Sequence, residues 1–389
     1  MTRTSAERGP VRRAIGAVPR WVWIALALLL AVLLPIANGA GVVATFWVRV
    51  GVRALTFAVL ALGLNLVMGE TGLLNLGYIA FFAVGAYTTA ILSAPFTGLH
   101  FPWWVTVPLS IVLAMLAGLA VGLPTLRLRG DYLAIVTLAF GEIVRTVFLN
   151  AGSVTNGAGG LPSIYQPRVF GFTFNAISHP AQYYYLVLGL LVVVTVLLTN
   201  LKNSRMGRAW NALREDEIAA RHAGISATRM KVSAMVISAG IAGVAGSFFA
   251  YYQVFINPNY FPFMQSVVVV CMVVLGGMGS IPGAIVGALV LDTLPELIRQ
   301  LFSSWLPAVL GPGFMSSWPV GVQQFFTEFD RYRMLLFGIV IVLVVIFRPE
   351  GLLPDALWRR ETHETDPREL EKTRQTLFDV DEGRQDLEA

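Results

Sequence analysis

Glu142 and Arg145 stand three positions apart inside an apolar run, Glu217 and Arg221 stand four apart in a basic stretch, and Asn65, Glu70 and Asn75 surround a glycine-broken junction. On a helix the first two spacings bring opposite charges side by side, a contact worth on the order of 0.2–0.5 kcal/mol at a surface. Such pairs neutralise charge and orient helices. They do not form the convergent acid, base and nucleophile that an active site needs. His100, His179, His222 and His363 are scattered and the single cysteine, Cys271, lies in an apolar run, so the sequence offers neither metal-ligand spacing nor a disulfide framework. The expectation is no catalytic residue, no metal and no cofactor.

Nor does the chain carry a fuel site. A Walker A loop needs two glycines spaced ahead of a Lys-Ser/Thr pair, so that backbone amides and the lysine hold the phosphates. The lysines are Lys202, Lys231 and Lys372, and none follows a glycine. Asn156-Gly157-Ala158-Gly159-Gly160 has no lysine behind it and reads as an outer turn.

The elements that position these residues are membrane spans. Hydrophobic residues make up 56% of the 389 and charged residues 13%, where a soluble domain has about 45–50% and about 25%; mean hydropathy is +0.68. An ordinary soluble enzyme, a nucleic-acid-binding domain and a disordered chain are all excluded. At about 20 apolar residues per crossing, ten spans are predicted: 21–37, 45–68, 72–94, 103–123, 132–150, 183–199, 231–254, 265–279, 281–298 and 333–347. The fold class is an all-α, polytopic transmembrane helical bundle. Its eighth and ninth spans divide at Gly276-Gly277-Met278-Gly279-Ser280-Ile281-Pro282-Gly283.

Charge sets the orientation. Residues 1–20 hold five Arg and one Glu, and Arg127, Arg129, the stretch from Lys202 to Lys231, and Arg348, Arg359 and Arg360 are the other basic flanks. Cytoplasmic loops are enriched in Lys and Arg, and ten spans with both termini cytoplasmic put all four groups inside. Residues 1–20 are then a basic cytoplasmic tail, 21–353 the transmembrane domain, and 354–389 an acidic cytoplasmic tail. Span 21–37 has the form of a signal peptide, but its apolar core exceeds the usual run of about 7–15 residues and is read as a retained helix. Arg49 and Arg53, near the outer end of the second span, read as snorkelling to the interface.

Within that frame Glu142 lies eleven residues after Asp131, roughly 16 Å deep at ~1.5 Å per residue. A lone charge there costs about 2.5–3.5 kcal/mol or more, so Glu142 and Arg145 are expected as a buried polar pair or as lining of a wet path. Asn65, Glu70 and Asn75 line a path or form a cytoplasmic turn. Ala234, Ser238, Ala242, Gly246 and Ala250 form a small-residue stripe, and Gly279, Gly283 and Gly287 repeat the spacing; both stripes are packing surfaces, static or sliding.

Residues 200–230 form more than a connector. Arg208 to Ala223 lacks Gly and Pro, which predicts one helix, and Gly224 stands where a helix end favours a left-handed residue. Ala219, Ala220 and Ala223 leave its surface low in bulk, open to close approach by another protein or to solvent as a plain linker.

Glu217-Ile218-Ala219-Ala220-Arg221-His222-Ala223-Gly224 resembles the coupling loop of binding-protein-dependent ABC importer permeases. With Arg214-Glu215-Asp216 before it, the segment resembles the branched-chain amino acid permeases of the LivH/LivM type, closest to the M-type subunit. Gly63-Leu64-Asn65-Leu66-Val67, Gly72-Leu73-Leu74-Asn75-Leu76-Gly77, Gly85-Ala86-Tyr87, Gly141-Glu142-Ile143-Val144-Arg145, Val274-Leu275-Gly276-Gly277-Met278-Gly279-Ser280 and Phe347-Arg348-Pro349-Glu350-Gly351-Leu352 agree in the same order. The resemblance covers roughly 50–353. It implies a bacterial inner-membrane permease, and Glu217, Ala219, Ala220, Arg221 and Gly224 as coupling residues toward an ATPase. The implied partners are a second, LivH-like permease, two ABC ATPase subunits and an extracytoplasmic substrate-binding protein; the implied substrate is Leu, Ile or Val. No nucleic acid is implied. A urea or short-amide importer would share these motifs. An ion-coupled secondary transporter would be expected to show more Asp, Glu or His in its spans.

Overall fold

The computed structural model describes residues 44–125 and 131–300, apart from 170, 171, 175 and 177, together with 351–353 and single residues within 32–36 and 338–346. The expected spans 21–37 and 333–347 and both tails lie almost wholly outside the described residues. Within them, seven helices are long and apolar enough to cross a membrane, and Ile79–Ser93 is a shorter apolar helix.

The helices are α1 (Thr45–Asn65), α2 (Ile79–Ser93), α3 (Trp103–Thr125), α4 (Asp131–Asn150), α5 (Pro180–Lys202), α6 (Arg205–Glu215), α7 (Glu217–His222), α8 (Ala227–Gln253), α9 (Phe263–Gly276) and α10 (Ile281–Gln300). The described β structure is a hairpin of Arg168–Val169 with Phe172–Thr173, plus an isolated bridge between Leu161 and Ile256. All-α therefore holds. The seven involve α1, α3, α4, α5, α8, α9 and α10, against ten expected from hydropathy, and the shorter one is α2, within the expected 72–94. α2 starts late: residues 72–78 are not helical, because Gly72 takes φ +68° and the chain turns before α2 can begin at Ile79.

α1 is the axis of the bundle. Of the apolar stretch of Thr45–Glu70, 89% is buried, against 17% for Tyr132–Asn150 of α4. α1 packs on α5, α8, α9 and α10, while α8 also packs on α2 and α3. The small stripe of α8 makes this possible. Ala234, Ser238, Ala242 and Ala250 are fully buried, and a Cβ on Gly246 would sit 2.1 Å from the Phe82 carbonyl of α2. Ser238 Oγ donates to Gly63 O of α1 at 2.6 Å, and Tyr78 OH donates to Ser238 O at 2.9 Å. In a medium without water, close backbone approach and such hydrogen bonds are what hold helices together.

The second stripe is used differently from expectation. Gly283 and Gly287 lie on α10 against Gly276 and Met272 of α9, but Gly279 sits in the turn between them with φ +81°. It belongs to a connection, not to a helix face.

The bundle has two ends. At one, α6 meets the end of α1 and the end of α5, α7 packs on α6 and α8, and the end of α5 meets the α9–α10 turn; this is the loop end. At the far end the start of α1 meets the ends of α8 and α10. Residues 351–353 return to the loop end, where the Leu352 and Leu353 amides donate to the Leu275 and Gly276 carbonyls, both at 2.9 Å.

Candidate functional site

The loop end holds the expected coupling segment, and its local structure follows from cap chemistry. Ser204 accepts from the amides of Met206 and Gly207 and starts α6. Asp216 leaves helical geometry at φ −150°, ψ 111°, and its Oδ1 accepts from Ile218 N at 2.7 Å and Ala219 N at 3.0 Å. Asp favours such an N-cap because its carboxylate satisfies helix-start amides that have no intrahelical partner. The single helix expected from Arg208 to Ala223 is therefore two helices, broken at Asp216. Gly224 ends α7 at φ +84°, with open space where a Cβ would stand.

α7 is braced from beneath and bare above. Leu213, Ala220 and Ala227 form a small core flanked by Ala212, Ile225 and Met230. Trp210 is wholly buried and its Nε1 donates to Met230 O at 2.9 Å, fixing α6 to α8. Ala220 accordingly packs inward, against Leu213 and Ala227. Ile218 is 68% exposed, and Ala219, Arg221, His222, Ala223 and Gly224 are exposed beside it.

Glu217 joins the two layers. Its carboxylate accepts from Arg221 at 2.5 Å within α7 and from Lys231 at 2.7 Å on α8. The Lys231 hydrogen bond, with that of Arg221 and the charges of both, holds the Glu217 carboxyl below the usual glutamate range against the opposing effect of partial burial. The spacing in sequence reveals only the Arg221 contact.

Asn65, Glu70 and Asn75 are all buried within the chain. α1 ends in a π turn, Leu66–Glu70. Asn65 Oδ1 accepts from Gly279 N at 2.8 Å, Glu70 pairs with Lys202 at 2.7 Å, and Asn75 Oδ1 accepts from Gly77 N at 3.1 Å. The Leu76 amide reaches Thr137 Oγ1 of α4 at 3.1 Å. Three residues that sequence spacing grouped at one junction thus serve three different contacts.

Glu142 and Arg145 do pair, at 3.6 Å, but not in the core of the chain. Their side chains are 42% and 30% exposed. Arg145 also donates to Asn259 Oδ1 at 3.2 Å. On the open face of α4, Ala139 and Thr146 are exposed next to Glu142, with Ile135 and Ile143 alongside.

A further ionisable pair, like Glu70 with Lys202, joins residues far apart in sequence. Asp292 of α10 is almost fully buried and receives Arg53 Nε of α1 at 3.1 and 3.2 Å from its two oxygens. Arg53 is held by a partner instead of snorkelling alone. The available signal was an acid, Asp292, inside one apolar run and a base, Arg53, inside another.

Comparison with known proteins agrees with the geometry. Residues 46–345 match the family described as branched-chain amino acid transport system / permease component. The chain is 41% identical over 327 residues to the high-affinity branched-chain amino acid transport system permease protein LivM of Salmonella typhimurium, covering 79% of this chain and 70% of that protein. It is 39% identical over 357 residues to LivM of Escherichia coli, covering 87% and 76%, and 30% identical over 261 residues to LivH of Escherichia coli, covering 64% and 83%. No solved structure matches it significantly. A buried axial helix, small-residue helix contacts, a braced loop helix and this similarity along most of the chain lead to one assignment: the protein belongs to the family of permease components of branched-chain amino acid transport systems.

Proposed function

We propose that the chain is the LivM-type half of the membrane channel of an ATP-driven importer for Leu, Ile and Val. It works by alternating access beside a second, LivH-like permease. Two ATPase subunits on the cytoplasmic side supply the work, and an extracytoplasmic binding protein delivers the amino acid. The observation that carries this reading is α7: a short helix with Ile218 exposed above a packed base, of the form a motor subunit can push without unfolding it.

The same reading puts ten spans in the bacterial inner membrane, with both termini in the cytoplasm. Its support is the charge pattern of the sequence: the basic residues of 1–20, Arg127 and Arg129, the stretch from Lys202 to Lys231, and Arg348, Arg359 and Arg360 all fall on one side in that arrangement.

The strip of α4 with Ala139, Glu142 and Thr146 lines the path between the two permeases. Its charges are too costly for lipid and are left open by this chain. An amino acid has an ammonium and a carboxylate to solvate on the way through, and Glu142 and Arg145 offer one partner for each.

The test is uptake by vesicles holding the purified complex. Labelled leucine should enter only with ATP and the binding protein, and labelled urea should not. Leucine transport by the chain alone, or urea uptake in place of leucine, defeats the reading.

A further inference from the structure

We infer that Lys202 and Arg214 are the linkage that carries movement of the loop helices into the spans, by gripping the π turn that closes α1 and the turn that joins α9 to α10. The inference rests on the importer reading above. Lys202 is the last residue of α5, on the threshold of α6. Its Nζ lies 2.7 Å from Glu70 Oε1 and donates to Gly279 O at 2.5 Å. Arg214, in the last turn of α6 and two residues before the cap of α7, donates from Nη1 to Gly69 O at 2.5 Å. Asn65 closes the ring, its Oδ1 accepting from Gly279 N at 2.8 Å.

The packing around this ring leaves no slack. A Cβ on Gly69 would stand 2.3 Å from Gly279 N and 2.6 Å from its Cα, so the end of α1 and the α9–α10 turn move as one. The Glu70 side chain is 5% exposed, and a pair in such low-dielectric surroundings resists separation far more than one at a surface. Leu62, Leu66, Leu198 and Ile281 line the crevice beside it.

What the two cations hold is equally telling. Both donate to main-chain carbonyls, at Gly69 and Gly279, so a pull is delivered to backbone and not lost in side-chain rotation. Those carbonyls lie in the least regular backbone of the region: the π turn Leu66–Glu70, a form that marks functional points in helices, and a turn with φ +114° at Gly277 and +81° at Gly279. Rigid α1 then reaches the far end, where Arg53 meets α10. A contiguous chain of contacts of this kind, biasing one movable element, can carry coupling between distant sites. Lys202 and Arg214 are thus positioning residues: they touch neither substrate nor nucleotide.

The test uses the complete importer, purified with its ATPase and binding-protein partners and reconstituted in vesicles with leucine. Lys202→Met and Arg214→Met should leave assembly and unstimulated ATP hydrolysis unchanged. They should lower leucine uptake by about tenfold or more, within the usual range of coupling energies, and remove the stimulation of hydrolysis by leucine-loaded binding protein. Lys202→Arg, which keeps the donor, should recover most of both. Normal stimulation in the two Met variants overturns the inference. So does loss of the subunit from the membrane with normal coupling in the complexes that survive, the signature of a static staple. If the unaltered complex shows no stimulation by loaded binding protein, the importer reading itself fails and takes the linkage with it.

Discussion

Glu217 and Lys231 are fourteen residues apart in sequence and 2.7 Å apart in space, one on the exposed helix α7 and the other in the first turns of α8. Through this contact the outermost element of the loop end is fastened to a helix whose small face packs along α1 and α2. Removing it should separate motor from spans. Glu217→Ala is expected to abolish uptake and binding-protein-stimulated ATP hydrolysis while leaving the affinity of the binding protein for leucine intact. Uptake and hydrolysis measured on one reconstituted preparation decide the matter.

The same residue predicts a pH dependence. Its carboxyl titrates below the ordinary range in the fold, so its stabilising contribution is complete above the unfolded glutamate pKa of about 4.3 and is lost as pH falls through the lower, folded value. Thermal melting of the detergent-solubilised chain should show Glu217→Gln less stable than the parent at neutral pH. The gap should close as the buffer is taken below about pH 4.3. A gap that widens on acidification contradicts the assignment.

α8 gives a steric prediction. A methyl group at Gly246 would collide with the Phe82 carbonyl, whereas nothing stands near a Cβ at Gly189 of α5. Gly246→Ala should cost about 1–3 kcal/mol by overpacking. Gly189→Ala should be neutral or stabilising, by up to about 0.5–1 kcal/mol from the intrinsic helix preference. Melting temperatures of the two variants, compared side by side, check both signs.

Asp292→Leu strands Arg53 near the far end. A fully buried pair broken in this way costs about 3–5 kcal/mol; the Arg53 side chain is 32% exposed, so water offsets part of this and about 2 kcal/mol is expected. The double variant Arg53→Met with Asp292→Leu should regain most of the loss. A double variant no better than the single one would show that the pair is not the source of the effect.

Glu142→Gln and Arg145→Gln should each slow leucine uptake by about tenfold, or about 1.4 kcal/mol, with the protein still inserted and its coupling to ATP hydrolysis kept. Normal transport in both variants removes α4 from the path.

Long apolar runs are legible in the sequence because lipid imposes length and composition on them. The expected 103–123, 132–150 and 281–298 meet Trp103–Thr125, Asp131–Asn150 and Ile281–Gln300. Hydropathy fails where backbone conformation decides. Gly72-Leu73-Leu74-Asn75-Leu76-Gly77 is apolar enough to join a span, yet Gly72 at φ +68° keeps it unwound. The helix break at Asp216 was hidden by a charged stretch whose residues tolerate helix and cap alike. Partner choice was hidden most deeply: Arg53 and Asp292 are 239 positions apart, and only the packing of α1 against α10 brings them together. Glu70 with Lys202 is the same case at the other end.

The donation from Leu352 and Leu353 to the end of α9 bears on how the protein is made. The carbonyls of Leu275 and Gly276 lie where the α-helical ladder runs out, and their acceptors are filled by a segment synthesised long afterwards. The α9–α10 hairpin therefore leaves the ribosome unfinished and is sealed only once synthesis has passed Leu353. A product truncated ahead of Leu352 would leave both carbonyls without these donors.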